Sequence, residues 1–199
     1  MGKVLPLPLG VTPAGTELLE RCLEGQLGAW REFYSIHADR LSSFLARMGV
    51  GHADLEDVLQ EVFLSLHASL PDYDGRVPFK AWLFGVAMNH VRCHRRRLWR
   101  RRAARLGGFL GWAEEVEDPE RLYERFEAAR ELHWILDRMS DRQREVFVLY
   151  EVEGLDGPSI ARILGCSVNT VWSRARLARG GFQRLLRRRG LVRVGEETA

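Results

Sequence analysis

Apolar residues recur at helical spacing along most of the chain, and no strand-like alternation interrupts them. The spacing predicts helices over about 16–25, 30–48, 54–66 and 79–102 in the first half of the chain. Glycines follow the first two of these segments, where they favour helix ends. The chain is therefore expected to be all-α.

Periodicity weakens from about residue 106 to residue 127, where glycines and then acidic residues accumulate. Helical spacing returns over 132–139, and Ser140 with Gln143 has the signature of a capping box for the next helix. These patterns predict two small helical domains joined by a flexible linker. The predicted divisions are a disordered arm (1–15), an N-terminal domain (16–105), a linker (106–127), a C-terminal domain (128–190) and a tail (191–199).

The stretch 153–189 has the pattern of a helix-turn-helix. Asp156 is placed to cap a short helix whose first turn tolerates Pro158, and Gly165 is placed to end it. Ser167 follows at once as the predicted cap of a second helix. The C-terminal domain is thus expected to present its second helix for recognition.

The polar side of that second helix carries four residues at i, i+3, i+4 and i+7. They are Asn169, Trp172, Ser173 and Arg176. This spacing predicts that they project together, away from the first helix, as a face that fits the major groove of DNA, where Arg reaches guanine and Asn reaches adenine. The predicted contacts are Asn169, Thr170, Trp172, Ser173 and Arg176 near base edges, with Arg174 and Arg179 nearer phosphate.

Charge favours this interpretation over a plain pair of helices with a solvated basic face. Residues 157–195 contain nine Arg and no Asp, Glu or Lys, a combination suited to phosphate contacts. The Gly180–Gly181 pair is expected to weaken the helix beyond Arg179.

The rest of the composition narrows the class of protein. The net charge of +3 conceals basic blocks beside acidic ones. Cys22, Cys93 and Cys166 are odd in number and far apart, which favours a reducing cytoplasm over a disulfide framework. The first ten residues do not resemble a signal peptide or a membrane span. No zinc-site spacing is present, so neither a metal nor another cofactor is expected.

Two features of the first half suggest binding surfaces. The predicted third helix has an outward face of Asp57, Gln60, Glu61 and Leu64, which is either a solvated surface or a protein contact. The predicted fourth helix begins with aromatic residues and continues into eight Arg between Arg92 and Arg105 without an acid. Basic charge with aromatic rings is how single-stranded nucleic acid is held, although some of these rings also fit a core stripe.

The motifs together resemble those of the sigma-70 family, the promoter-reading subunits of bacterial RNA polymerase. The C-terminal resemblance rests on Arg144-Glu-Val-Phe-Val-Leu, Glu153-Gly-Leu, Ile160-Ala, Leu164-Gly and Thr170-Val-Trp-Ser-Arg. The N-terminal one rests on Asp54-Leu-Glu-Asp-Val-Leu-Gln-Glu-Val-Phe and Pro78-Phe-Lys-Ala-Trp-Leu-Phe, with Asn89 further on. The resemblance covers about residues 25–189. Because these two blocks are joined by only a short linker, the chain resembles the compact extracytoplasmic-function branch of the family.

That resemblance implies a set of partners. The acidic helix face is expected to bind the clamp coiled coil of the largest polymerase subunit, and the C-terminal domain to meet the flap of the second-largest. The loop at 70–79 is expected to capture a flipped base of the downstream promoter element. The expected downstream contacts are Asp72, Tyr73, Arg76, Lys80, Trp82, Asn89, Arg92, Arg95 and Arg96.

The same resemblance implies no catalysis and no small-molecule substrate, since polymerase supplies the active site. An anti-sigma factor is expected to hold the chain inactive in the cytoplasm, at the inner face of the membrane if that factor is anchored there. Departures from the family pattern are Cys93, where many relatives carry Asp, and Trp172 and Leu177 on the recognition helix. The last two leave the promoter sequence open, while at Cys93 the function of the family's carboxylate is either absent or supplied elsewhere.

Two other classes of protein compete with this interpretation. A helix-turn-helix repressor or activator would bind a palindrome as a dimer, but it leaves the acidic face unexplained. An enzyme would need a nucleophile motif, a phosphate-binding glycine loop or metal-ligand spacing, and the sequence contains none of these.

Overall fold

A computed structural model describes residues 12–105 and 126–191, in which the regular secondary structure is helical and no strand occurs. The helices are α1 (Pro13–Leu23), α2 (Leu27–Arg47), α3 (His52–Ser69), α4 (Phe79–Arg105), α5 (Phe126–Asp137), α6 (Asp141–Phe147), α7 (Gly157–Leu164) and α8 (Val168–Arg188). The prediction of an all-α chain is confirmed over these ranges. The predicted tail (beyond its first residue), most of the predicted linker and most of the N-terminal arm lie outside them.

The N-terminal block, α1 to α4, forms where its apolar stripes meet. Phe33, Phe44 and Phe84, contributed by α2 and α4, are fully buried. The first helix begins at Pro13, before the predicted start, because Thr12 caps it by accepting a hydrogen bond from the Gly15 amide at 3.3 Å. A short 3₁₀ turn follows α3 and leads into the loop that precedes α4.

The C-terminal block, α5 to α8, contains the predicted helix-turn-helix in α7 and α8. The predicted capping box is wrong, because Ser140 precedes α6 without a side-chain capping bond. A π-helical turn over Val148–Val152 continues α6. The expected weakness at Gly180–Gly181 does not interrupt α8, which remains helical to Arg188.

The two blocks contact each other directly, which the sequence patterns do not predict. A Cβ atom built at Gly85 of α4 would lie 3.7 Å from Ile163 Cγ1 of α7, so the helices approach closely there. The buried apolar residues of both blocks form one cluster. The Arg144 guanidinium, itself buried, donates from Nε to the Arg47 carbonyl at 2.6 Å across the same contact. The described blocks therefore share a core in this conformation.

Candidate nucleic-acid interface

The helix-turn-helix is fixed by caps at each of its turns. Asp156 accepts a hydrogen bond from the Ser159 amide at 2.8 Å and so begins α7. Gly165 ends it in the left-handed conformation, with φ +65°. Ser167 then accepts a bond from the Thr170 amide at 3.1 Å and begins α8. These predicted caps are confirmed, and they set the angle at which α8 leaves α7.

Three of the predicted base-reading residues face solvent together. Asn169, Ser173 and Arg176 are exposed, and the Ser173 hydroxyl donates to the Asn169 carbonyl at 2.9 Å. Thr170 is half-buried, and its hydroxyl lies 2.8 Å from that of Ser167. The exposed face thus combines an amide, a hydroxyl and a guanidinium, which are groups that bind base edges.

Trp172 departs from the predicted arrangement, because its ring does not project clear of the first helix. It lies against the start of α7, where a Cβ atom on Gly157 would come 2.5 Å from Trp172 Cζ2. The indole also meets the Tyr150 ring edge to face, with centroids 5.4 Å apart. Because 43% of the residue stays exposed, Trp172 both seats α8 on α7 and presents an apolar edge to solvent.

The two arginines expected near phosphate differ in their surroundings. Arg179 is exposed, forms an ion pair with Glu151, and lies over the Tyr150 ring with its guanidinium carbon 5.2 Å from the centroid. Arg174 is half-buried, and its Nη1 lies 3.9 Å from Cys166 Sγ. Of the two, only Arg179 must exchange an acidic partner before it can bind phosphate.

The basic stretch of α4 divides into exposed and engaged residues. Asn89 and Arg96 are exposed. Arg92 Nη1 donates to the Ile163 carbonyl at 3.1 Å, and Arg95 Nη1 donates to Glu145 at 2.7 Å, both in the C-terminal block. Lys80, at the start of α4, donates to the Glu153 carbonyl, and burial lowers its pKa. Several predicted DNA contacts are therefore covered in this conformation.

The loop before α4 differs from expectation at one position. Tyr73 is only 2% exposed, its hydroxyl donates to the Val77 carbonyl at 2.7 Å, and burial raises its pKa to about 12. Its ring packs on Trp82, with centroids 5.1 Å apart. Tyr73 thus holds the loop against α4 instead of facing a base, whereas Asp72 and Arg76 are exposed.

The outward face of α3 is largely as predicted. Asp57 and Gln60 are exposed, and Leu64 is 64% exposed. Glu61 instead pairs with α4, because its carboxylate accepts from Arg97 at 2.7 Å and lies 3.3 Å from His90 Nδ1. The hydrogen bond from Arg97 lowers the pKa of Glu61.

Beside this face lies a groove of about 490 Å³ whose aromatic lining the sequence analysis missed. Its lining includes Trp30 and Tyr34 from α2 and Phe63, Gln60 and Leu64 from α3. Tyr34 is exposed at the rim of this groove, at the edge of the core. The α3 face is therefore part of a wider acidic and aromatic surface.

Residues 12–105 and 126–191 contain neither a metal-binding group of side chains nor a membrane-spanning helix. No group of three His, Cys, Asp or Glu side chains there could hold a metal ion. No helix there is long and apolar enough to cross a membrane.

Two family models match the chain. The model described as Sigma-70 region 2 matches residues 33–101, which hold most of α2, all of α3 and the greater part of α4. The model described as Sigma-70, region 4 matches residues 129–180, from α5 into α8. Their order along the chain is that of the two helical blocks.

Curated relatives extend this likeness over most of the chain. The RNA polymerase sigma factor CnrH of Cupriavidus metallidurans is 30% identical over 183 residues, covering 85% of this chain and 92% of its own. NccH of Alcaligenes xylosoxydans xylosoxydans is 29% identical over 179 residues with the same coverage. The sigma-E factor of Escherichia coli K12 is 27% identical over 173 residues, covering 81% of this chain and 88% of its own.

Solved structures share the helical arrangement. CnrH, in a complex with the cytosolic domain of CnrY, superposes with a TM-score of 0.62 at 28% identity, covering 86% of this chain and 96% of the other. RpoE of Bartonella quintana, in a complex with the anti-sigma factor NepR, gives a TM-score of 0.65 at 23% identity, covering 79% and 96%. The second likeness shows the fold alone.

Proposed function

The chain belongs to the sigma-70 family and directs RNA polymerase to promoters, and from that premise we propose how its two helical blocks divide the work. The N-terminal domain, 16–105, binds core polymerase and the opened downstream (−10) element. The C-terminal domain, 128–190, reads the upstream (−35) element as duplex DNA. The observation that carries this assignment is a capped helix-turn-helix with a solvent-facing Asn169, Ser173 and Arg176, in one chain with the arginine-rich α4.

Core polymerase binds the outward face of α3. Asp57 and Gln60 offer polar contacts around the exposed Leu64, and the adjoining aromatic groove offers apolar area. Exposed apolar residues rimmed by polar ones are typical of protein contacts. The clamp coiled coil of the largest polymerase subunit binds this face of α3. The surface of α5 and α6 contacts the flap of the second-largest subunit.

The downstream element lies along α4 and the preceding loop. Asn89 and Arg96 are exposed for contact with the strand, and Asp72 and Arg76 flank the place where a flipped base is captured. Trp82 is half-buried against Tyr73, which leaves part of its ring for stacking. Base–aromatic stacking contributes about 1–3 kcal/mol per base, so strand separation draws on binding energy.

The upstream element is read by α8 in the major groove. Arg176 is the residue that binds a guanine edge, Asn169 reaches adenine, and the exposed edge of Trp172 suits a thymine methyl group. Arg174 and Arg179 lie nearer the backbone. No residue of the chain is assigned a catalytic role, because the polymerase holds the active site.

An anti-sigma factor restrains the chain. RpoE of Bartonella quintana, which shares the fold, was solved with the anti-sigma factor NepR, and CnrH, which resembles this chain over most of its length, was solved with the cytosolic domain of CnrY. We extend that kind of partnership to this chain in the cytoplasm. A membrane-anchored anti-sigma factor would hold it at the inner face of the membrane.

The test is reconstitution with bacterial core RNA polymerase. The purified chain is expected to co-migrate with core enzyme and to support initiation from genomic fragments, including the one upstream of its own gene. Asp57→Lys with Leu64→Asp should abolish co-migration. Glu17→Lys, on the exposed side of α1, is the control and should leave co-migration intact. Binding to a palindrome without core polymerase would instead support a dimeric repressor.

A further inference from the structure

Three cations of the N-terminal block converge on Glu153 of the C-terminal block. Arg40 donates from Nε and Nη2 to Glu153 Oε2, both at 3.1 Å. Arg47 Nη2 donates to Oε1 at 2.9 Å, and Lys80 donates to the backbone carbonyl of Glu153. Glu153 is only 3% exposed. We call Arg40, Arg47 and Lys80 the cationic cluster.

The cationic cluster is short of acceptors in this conformation. Two guanidinium groups and one ammonium group surround a single carboxylate, and the buried Arg47 Nε makes no hydrogen bond among the described residues. Burial lowers the pKa of Lys80, and the nearby Arg40 charge lowers it further. Like charges held this close repel one another, and Glu153 supplies the carboxylate between the two guanidinium groups.

The cluster continues the basic surface of α4. Arg92 and Arg95, farther along α4, also donate to acceptors of the C-terminal block, which are the Ile163 carbonyl and Glu145. Arg40 and Arg47 belong to α2, so the surface spans two helices. The carboxylate of Glu153 is held through both oxygens by separate guanidinium groups, which is also how arginines hold the oxygens of a phosphate.

We propose that Arg40, Arg47 and Lys80 form a phosphate-binding surface for the DNA backbone, and that Glu153 occupies this surface in the free chain. The proposal rests on the proposed function of α4 and adds two α2 residues to it. Contact between the blocks covers the surface. Separation of the blocks on core polymerase exchanges one carboxylate for phosphates.

The first experiment removes the charge of the occupant in the free, full-length chain. Glu153→Gln is expected to raise the radius of gyration measured by small-angle scattering and to tighten binding of a fluorescent single-stranded oligodeoxynucleotide at least about tenfold. Glu32→Gln is the matched control. It removes the same charge, but Glu32 pairs with Arg21 inside the N-terminal block, so the blocks should stay together. An unchanged radius and affinity in Glu153→Gln would overturn the proposal.

The second experiment separates phosphate binding from mere contact between the blocks. Arg40→Gln also weakens that contact, yet it removes a phosphate ligand, so it should not tighten DNA binding. Adding it to Glu153→Gln should reverse the gain and lower the slope of log affinity against log salt by about 0.7. If Arg40→Gln tightens binding as Glu153→Gln does, Arg40 is a structural contact and the phosphate site is refuted.

A third experiment, with holoenzyme, distinguishes failure of the phosphate site from failure of the proposed function on which it rests. If the wild-type chain fails to bind core polymerase or to initiate, the proposed function fails, while the free-chain arms still decide the phosphate site. If initiation occurs, Arg40→Gln holoenzyme should bind promoter DNA more weakly with a reduced salt slope, whatever the folding yield of Glu153→Gln. An unchanged slope would count against the site.

Discussion

Replacing Gly157 with alanine tests how the recognition helix is seated on α7. The new Cβ atom would lie 2.5 Å from Trp172 Cζ2 and 2.9 Å from Cη2, whereas carbon atoms in favourable contact are about 3.5–4.0 Å apart. The indole must therefore shift by roughly 1 Å. The indole also contacts the Tyr150 ring, so the shift turns it outward or lifts α8.

Overpacking and a loss of unfolded-chain entropy change the free energy of unfolding of Gly157→Ala in opposite directions. Overpacking of this kind costs about 1–3 kcal/mol, and the low end applies because Trp172 is partly exposed and can move. Against this, alanine reduces the conformational entropy of the unfolded chain and contributes about 0.4–1 kcal/mol of stability. We expect a net loss of roughly 0–0.6 kcal/mol, which for a chain of this size lowers the midpoint of thermal unfolding by at most about 2 °C.

The assay is a double-mutant cycle measured by chemical unfolding. In a Trp172→Ala background the clash disappears, so Gly157→Ala should change sign and become neutral or stabilising. Gly180→Ala is the control, since its Cβ atom would meet nothing nearer than Arg184 Nη1 at 3.9 Å, and it should stabilise α8 by about 0.5–1 kcal/mol. If Gly157→Ala destabilises equally with and without the indole, the seating argument is wrong.

Three further predictions concern promoter recognition by α8, the cap of α7 and the buried thiol of Cys22. Arg176→Ala should cost about 1–3 kcal/mol on a matched promoter and relax discrimination at one base pair, measured with holoenzyme. Arg188 is exposed at the C-terminal end of α8, outside the base-reading face, so in the same assay Arg188→Ala should weaken matched and mismatched promoters alike and lower the salt slope by about 1. Asp156→Ala removes the cap bond to the Ser159 amide and should lower the free energy of unfolding by about 1 kcal/mol in urea titrations. Burial raises the pKa of Cys22 to about 11, from 9.0 in the unfolded chain. The stability that comes from burying the neutral thiol is therefore fully present below the unfolded pKa and is lost as the pH rises through the folded pKa. Alkylation of Cys22 at pH 9 should therefore be slow in the folded chain and fast in urea, as followed by mass spectrometry.

Features set by neighbouring residues could be predicted from the sequence. Asp156, Gly165 and Ser167 act within one turn of their own position, and each lies where the pattern placed it. The missing cap at Ser140 shows the limit of this reasoning, because a capping signature states which bond is available and not whether the side chain makes it.

Features set by distant residues could not be predicted in the same way. Tyr73 looks like an exposed loop residue, yet it closes a hydrogen bond to Val77 and packs beneath Trp82. Arg144 donates to the carbonyl of Arg47, which precedes it by 97 positions. Helical period states which side of a helix a residue occupies, but not which other helix covers that side.

The same limit applies to charge. The sequence suggested arginine clusters free to attract DNA, but in the described chain several of these arginines already bind acids or carbonyls, among them Arg95 with Glu145 and Arg179 with Glu151. An exposed ion pair stabilises the free chain by only about 0–1 kcal/mol, so phosphate can replace the acid at little cost. Glu145 and Glu153 are different, because burial makes their release depend on separation of the two blocks. If Glu153 occupies a phosphate-binding surface as proposed, the DNA affinity of the free chain is limited by the contact between its blocks, so the partners of the arginines matter more than their number.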